Sequence, residues 1–241
     1  MEVDSKADTR PLHEVIDSIR EKNPAAVSNV ADNWLLYAFA ERDPVAATKA
    51  LMALGENSAS LGPIADVRFN RPFMEGVIAS LERDDAKVRS AFITARAEQE
   101  KTVQAQPNYA PAFCALGLLD AALGRKEEAL REGRRAVELC PIEKDAVLGA
   151  AMVKYLAMIA SWAGEKNLAC EQLAIATRKP GDLSYGQLKL MPFWDSLRRD
   201  PRFEKIVASL APKDQETTKT AGVSLNGAAA RRATSTGSPN G

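Results

Sequence analysis

The chain has 241 residues, of which 46% are apolar, and this is enough to form a packed core. Lys and Arg number 32, as do Asp and Glu, so a net charge of zero gives no reason to expect nucleic acid or an anionic membrane as a partner. The three cysteines are far apart and there is one histidine, which argues against a disulfide framework, a zinc site or a cofactor held by these residues. No apolar run is long enough for a membrane span.

The N-terminal region divides into a polar stretch and a first helix. Residues 1–10 are polar, mixed in charge and unlike a secretory signal peptide, so we expect them to be disordered and the chain to be cytoplasmic. The helical domain is expected to span 11–211. The first helix of this domain is predicted to end at Asn23-Pro24. Its apolar face consists of Leu12, Val15, Ile16 and Ile19.

Four turn signals then divide the chain into similar units. They lie at Arg42, Arg83, Gly124 and Gly164, which are 40 or 41 residues apart. Apolar helical segments flank each signal, and small residues recur at matching positions, which lets paired helices approach closely. We therefore predict four helical hairpins, over about 24–55, 70–106, 110–141 and 144–178, and no sheet.

The third unit has the clearest helical pattern. Its second helix, KEEALREGRRAVELC, places apolar and small residues on one face and charged residues on the other, and Pro141 ends it. The predicted buried face consists of Ala129, Leu130, Gly133, Ala136, Val137 and Cys140.

The C-terminal region is predicted to close the array and then lose structure. Asp200-Pro201 is a helix start, and the apolar stripe after it predicts a capping helix over 200–211 that covers the last hairpin. Residues 191–195, with Trp194 as a packing anchor, are expected to wedge between this cap and the hairpins. Residues 212–241 are small and polar and are expected to be disordered. Within them, Arg231 to Ser235 resembles a basophilic kinase site, a motif that is often accidental in a flexible tail.

One unit resembles a known repeat family. Residues 110–141 carry the family's ordered pattern at Ala110, Phe113, Leu116-Gly117, Gly124, Ala129, Ala136 and Pro141. This resembles a tetratricopeptide repeat, and Pro107 precedes Pro141 by 34 residues, the repeat length of that family. The resemblance implies an all-α, right-handed α-solenoid of about four hairpins with a C-terminal capping helix. A period near 41 also fits HEAT-like repeats, which stay the alternative.

The resemblance also implies a function. Tetratricopeptide arrays bind a peptide or partner helix in the groove lined by the first helix of each hairpin, which predicts a non-catalytic scaffold for protein–protein interaction. The groove residues would be Cys114, Leu118, Ala121, Lys154, Met158 and Ser161, with Trp162 nearby. Segment 185–210 also resembles the end of such arrays in bacterial signalling proteins. The alternative function is therefore a regulatory region of a larger signalling enzyme, such as a serine/threonine kinase or cyclase.

Nothing in the sequence indicates catalysis. The only histidine, His13, lies beside the apolar stripe of the first helix, where a surface imidazole is expected. Acidic pairs such as Asp84-Asp85 and Glu127-Glu128 lie at predicted helix starts, where the helix dipole favours carboxylates. No nucleophile elbow, zinc-protease motif or phosphate loop occurs. We therefore expect no enzymatic activity.

Overall fold

The computed structural model of the chain describes residues 5–56, 59–60, 67–178 and 183–212, and these residues are mostly helical. The helices in chain order are α1 (Arg10–Lys22), α2 (Ala31–Glu41), α3 (Pro44–Leu54), α4 (Arg71–Glu82), α5 (Asp85–Ala105), α6 (Ala110–Ala122), α7 (Lys126–Leu139), α8 (Leu148–Trp162), α9 (Lys166–Ala176), α10 (Tyr185–Leu190) and α11 (Pro201–Ser209). Two 3₁₀ segments cover Pro24–Val30 and Pro192–Leu197. The strands β1 (Ala59–Ser60) and β2 (Arg68–Phe69) form a small antiparallel pair that the sequence did not predict.

The four predicted turns are confirmed, because each lies between two helices. Arg42, Arg83, Gly124 and Gly164 all adopt left-handed backbone conformations, with φ of 56°, 60°, 76° and 81°. Glycine adopts this region without steric cost, whereas a residue with a Cβ pays about 1 kcal/mol or more. The chain therefore uses one turn conformation four times, and two arginines occupy it despite that cost.

The helices pack as consecutive hairpins. The pairs α2–α3, α4–α5, α6–α7 and α8–α9 each pack internally, and α3, α5 and α7 contact the first helix of the following hairpin. Gly117 marks one close approach, since a Cβ there would lie 2.8 Å from Ile159 Cδ1 and 3.0 Å from the Ala129 carbonyl oxygen. The apolar face predicted for α7 is buried except at Val137, which is half-buried.

A helix lies where the sequence predicts the capping helix. Asp200 accepts a hydrogen bond from the backbone of Arg202, and α11 then packs on α9 with Phe203 and Val207 buried. Trp194 is 2% exposed and lies 6.5 Å from the Phe203 ring, which confirms its packing role. The preceding segment extends further than expected, however, because α10 contacts α2 of the first hairpin.

Other predictions differ in detail or lie outside the described residues. The apolar stripe predicts that Val15 is buried, but its side chain is 53% exposed, and Ile16 alone in that helix is buried. Residues 1–4 and 213–241 lie outside the description, including the Arg231 motif. Among the described helices, none combines the length and apolar character needed to cross a bilayer.

Candidate functional site

The residues predicted to line a groove come together on two adjacent helices, but almost all are covered. Helix α6 carries three of them and packs directly on α8, which carries the other four. Six are no more than 5% exposed, and Trp162 is the half-buried exception; the six are Cys114, Leu118, Ala121, Lys154, Met158 and Ser161. These six side chains are buried inside the protein and do not line an open groove. Their contact with a partner stays a prediction.

Segments of the same chain cover this surface. The strand β2 packs on α6, and its Phe69 ring lies 6.1 Å from the Tyr155 ring on α8. The 3₁₀ segment Pro192–Leu197 packs along α8, where the Ser161 and Ser196 hydroxyls lie 2.5 Å apart. These contacts join positions far apart in the sequence, which is why helix periodicity alone did not reveal them.

An open pocket remains at the end of the groove where α4, α6 and α8 terminate. Its volume is about 320 Å³, within the range of sites that hold small ligands or anchoring side chains. The lining consists of Val77, Ser80, Phe92, Ala121, Ala122, Trp162, Pro192 and Phe193. Ala121 and Trp162 were predicted groove residues, whereas the other six were missed.

Three of the eight lining residues of the pocket are aromatic. The Trp162 ring lies 6.5 Å from Phe92 and 6.1 Å from Phe193, with tilted geometry in both pairs. It also stacks at 6.4 Å on Phe73, which is fully buried behind it. The core therefore holds Trp162 from several sides while part of the ring faces the pocket.

The polar side chains of the lining have internal partners. The Ser80 hydroxyl donates to the Val77 carbonyl at 2.7 Å, and the Trp162 indole N–H donates to the Phe193 carbonyl at 3.0 Å. Because both donors are used, an apolar group could enter without leaving either one unpaired. The pocket is thus suited to an apolar anchor rather than to a strongly polar ligand.

Lys154, the cation expected in the groove, lies away from the groove surface. It is 2% exposed, and its Nζ lies 4.6 Å from the centre of the Tyr155 ring. Neighbouring Cys114 is completely buried, and this burial raises the pKa of its thiol. Neither group is available to solvent as a ligand or a nucleophile.

The strongest cluster of titratable groups lies outside the pocket, among α5, α6 and α7. Asp120 is fully buried and accepts a 2.6 Å hydrogen bond from Arg96 Nε. Glu132, which is 8% exposed, faces it, and burial followed by the hydrogen bond to Asp120 raises the pKa of Glu132 to about 8. Because Asp120 and Glu132 are both buried, we interpret the cluster as a structural pair.

Two further arrangements of polar residues lie outside the pocket. His13 Nε2 lies 3.1 Å from Glu41, with the ring edge-on to Tyr37, as a half-exposed surface imidazole. A larger cavity of about 450 Å³ lies between α3, α4 and α5, where the ion pairs Arg71–Glu75 and Lys87–Glu82 occupy its wall. Across the described residues, no group of three or more His, Cys, Asp or Glu side chains could hold a metal ion.

Comparisons with known protein families, curated proteins and solved structures found no match. The resemblance to tetratricopeptide repeats therefore depends on the quoted sequence positions alone.

Proposed function

We propose that this chain is a tetratricopeptide-like scaffold that binds a protein segment, without catalysis, through the aromatic pocket at the end of its concave groove. The observation that carries the proposal is the wall of three aromatic rings around an open volume of about 320 Å³. Aromatic pockets whose polar groups are already paired favour apolar anchor side chains, which dominate binding energy in many interfaces. The repeated hairpins support this role, since first helices of successive hairpins supply most of the lining.

The partner would insert one large apolar side chain into the open volume, against the contacting rings of Phe92, Trp162 and Phe193. Tetratricopeptide arrays that clamp a terminal carboxylate use polar and basic groove residues. Lys154 is buried here, so an internal segment of a partner fits better than a C-terminal carboxylate. A regulatory region of a larger signalling protein stays the second candidate, favoured by the resemblance of segment 185–210, and it would use the same pocket.

Selection of displayed peptides against the full chain tests this proposal. We expect the selected peptides to share a large apolar residue and to compete with one another for one site. The variant Ala122→Trp fills the pocket and should weaken their binding at least tenfold. The matched control Arg134→Trp adds the same ring on an exposed position of α7 and should leave binding unchanged.

Two results would reject the proposal. One is the failure of any peptide to be selected on the folded chain. The other is equal weakening, or equal retention, of binding in the pocket variant and the surface control.

A further inference from the structure

Residues 190–196, which we call the C-terminal segment, are held by a side chain from the first hairpin. The Arg42 guanidinium donates to the Leu190 carbonyl at 2.9 Å and to the Asp195 carboxylate at 2.7 Å. Arg42 occupies a left-handed turn position, with φ of 56°, where glycine is the favoured residue. Its side chain therefore has a role in the fold beyond the turn itself.

The last hairpin holds the same segment from the other side. The Trp162 indole N–H donates to the Phe193 carbonyl at 3.0 Å. The Ser196 hydroxyl donates to the Ser161 carbonyl at 3.1 Å. The two hairpins that hold the segment are therefore the first and the last of the array.

Phe193 fills the space between these two hairpins. Its ring lies 6.1 Å from Phe39 on α2, edge to face, and 6.1 Å from Trp162 on α8. The residue is 4% exposed, so the groove encloses it almost completely. Beside it, Pro192 forms part of the wall of the open pocket.

This pattern differs from ordinary packing between helices. Packed helices meet mainly through side chains, because their carbonyl groups are used within each helix. Leu190 ends α10 and Phe193 lies in the 3₁₀ segment, and their backbone carbonyls accept hydrogen bonds from side chains of the first and the last hairpin. Side chains that bind the backbone of a short segment, together with a pocket for its aromatic residue, are one means by which a groove holds a peptide.

We propose that the groove between Arg42 and Trp162 is a peptide-recognition site that the chain's own C-terminal segment occupies. The site selects a proline followed by an aromatic residue, with an acidic residue two positions after the aromatic one, as in Pro192, Phe193 and Asp195. A partner segment of this chemistry competes with the internal one. This inference rests on the proposed function. Because Pro192 and Phe193 also form part of the wall of the open pocket, a partner that displaces the segment and a partner that enters the pocket exclude each other.

A cleavage experiment on the full chain tests the inference. A protease site introduced between Arg178 and Leu183 allows the segment to be cut from the folded chain. We expect the cut chain, with its segment still bound, to keep its helical circular dichroism, and the bound segment to exchange with a fluorescently labelled peptide of residues 183–212. Before cleavage the same peptide should bind at least tenfold more weakly, because the tethered segment has an effective concentration in the millimolar range.

A pair of turn variants separates recognition from general stability. Arg42→Gly removes the guanidinium and keeps the left-handed turn, and it should weaken binding of the labelled peptide about three- to tenfold. Arg83→Gly makes the same change at the equivalent turn of the next hairpin, where φ is 60°, and should leave binding unchanged.

Three results would overturn the inference. The cut chain could lose its helical signal, which would make the segment an ordinary part of the core. The cut segment could fail to exchange with excess labelled peptide, or the two turn variants could bind it equally. Peptides selected on the open pocket serve as the separate readout: if they still bind, the proposed function stands and the inference alone fails.

Discussion

Replacing Glu132 by Gln should make the stability of the chain less dependent on pH. Glu132 is 8% exposed on α7, and its carboxyl faces Asp120, which pairs with Arg96 on α5. Burial is the largest cause of its raised pKa, followed by the hydrogen bond and the negative charge of Asp120, while Arg131 and Arg96 act in the opposite direction. Gln keeps the shape of the side chain and can still donate a hydrogen bond to Asp120, but it does not titrate.

The sign of the effect follows from the two pKa values of Glu132. In the folded chain the pKa is about 8, whereas its ordinary value is 4.5, so unfolding releases a proton between these pH values. The free energy of unfolding therefore falls as pH rises through this window, by at most about 1.4 kcal/mol per pH unit. Between pH 6 and pH 8 the free energy of unfolding of the wild-type chain should fall by up to about 2 kcal/mol. The Glu132→Gln variant should not show this fall.

Urea unfolding at pH 6, 7 and 8 measures this difference. The control is Glu138→Gln on the same helix, whose parent side chain is 65% exposed and paired with Arg135. Its stability should follow that of the wild type at all three pH values. If the free energy of unfolding changed with pH equally in the wild type and in Glu132→Gln, the reasoning would be refuted, because Glu132 would then titrate as a solvated carboxyl.

Three further changes test the packing. Gly117→Ala should destabilise the chain by about 1–3 kcal/mol in urea, since the new methyl would lie 2.8 Å from Ile159; an unchanged midpoint would contradict this close approach. Arg83→Gly should raise the melting temperature, by an amount equivalent to about 1 kcal/mol, because glycine relieves the left-handed turn; a lower value would reveal a stabilising role for the arginine side chain. Cys114 should resist thiol reagents at pH 8 until denaturant is added, as judged by mass spectrometry, because it is completely buried; rapid labelling of the folded chain would contradict that burial.

The local elements could be predicted because their causes lie within short stretches of sequence. The turn at Gly124 and the cap at Asp200 depend on residues a few positions away. The turns at Arg42 and Arg83 were recognised from their spacing, although arginine is unfavourable in a left-handed conformation. Periodicity was less reliable at α1, where Val15 belongs to the apolar stripe but remains exposed, since amphipathic spacing does not specify how much of a face is covered.

The site was harder to predict because distant contacts decide it. The inward face of α6 and α8 was identified, but nothing near Leu118 or Met158 in the sequence indicates that other segments cover it. Arg42 and Asp195 are separated by 153 positions, and their ion pair forms only once the C-terminal segment reaches the first hairpin. The pocket residue Phe92 was also missed, because it lies on a second helix and the groove was assigned to first helices alone.

The most direct test of the binding proposal is to follow the Trp162 indole N–H resonance by NMR while a selected peptide is added to the full chain. Our account predicts a progressive shift of this resonance, together with shifts of the Phe92 and Phe193 ring signals and contacts from the apolar residue of the peptide. Saturating binding with shifts confined to exposed residues of α5 and α7, and no change at Trp162, would contradict it.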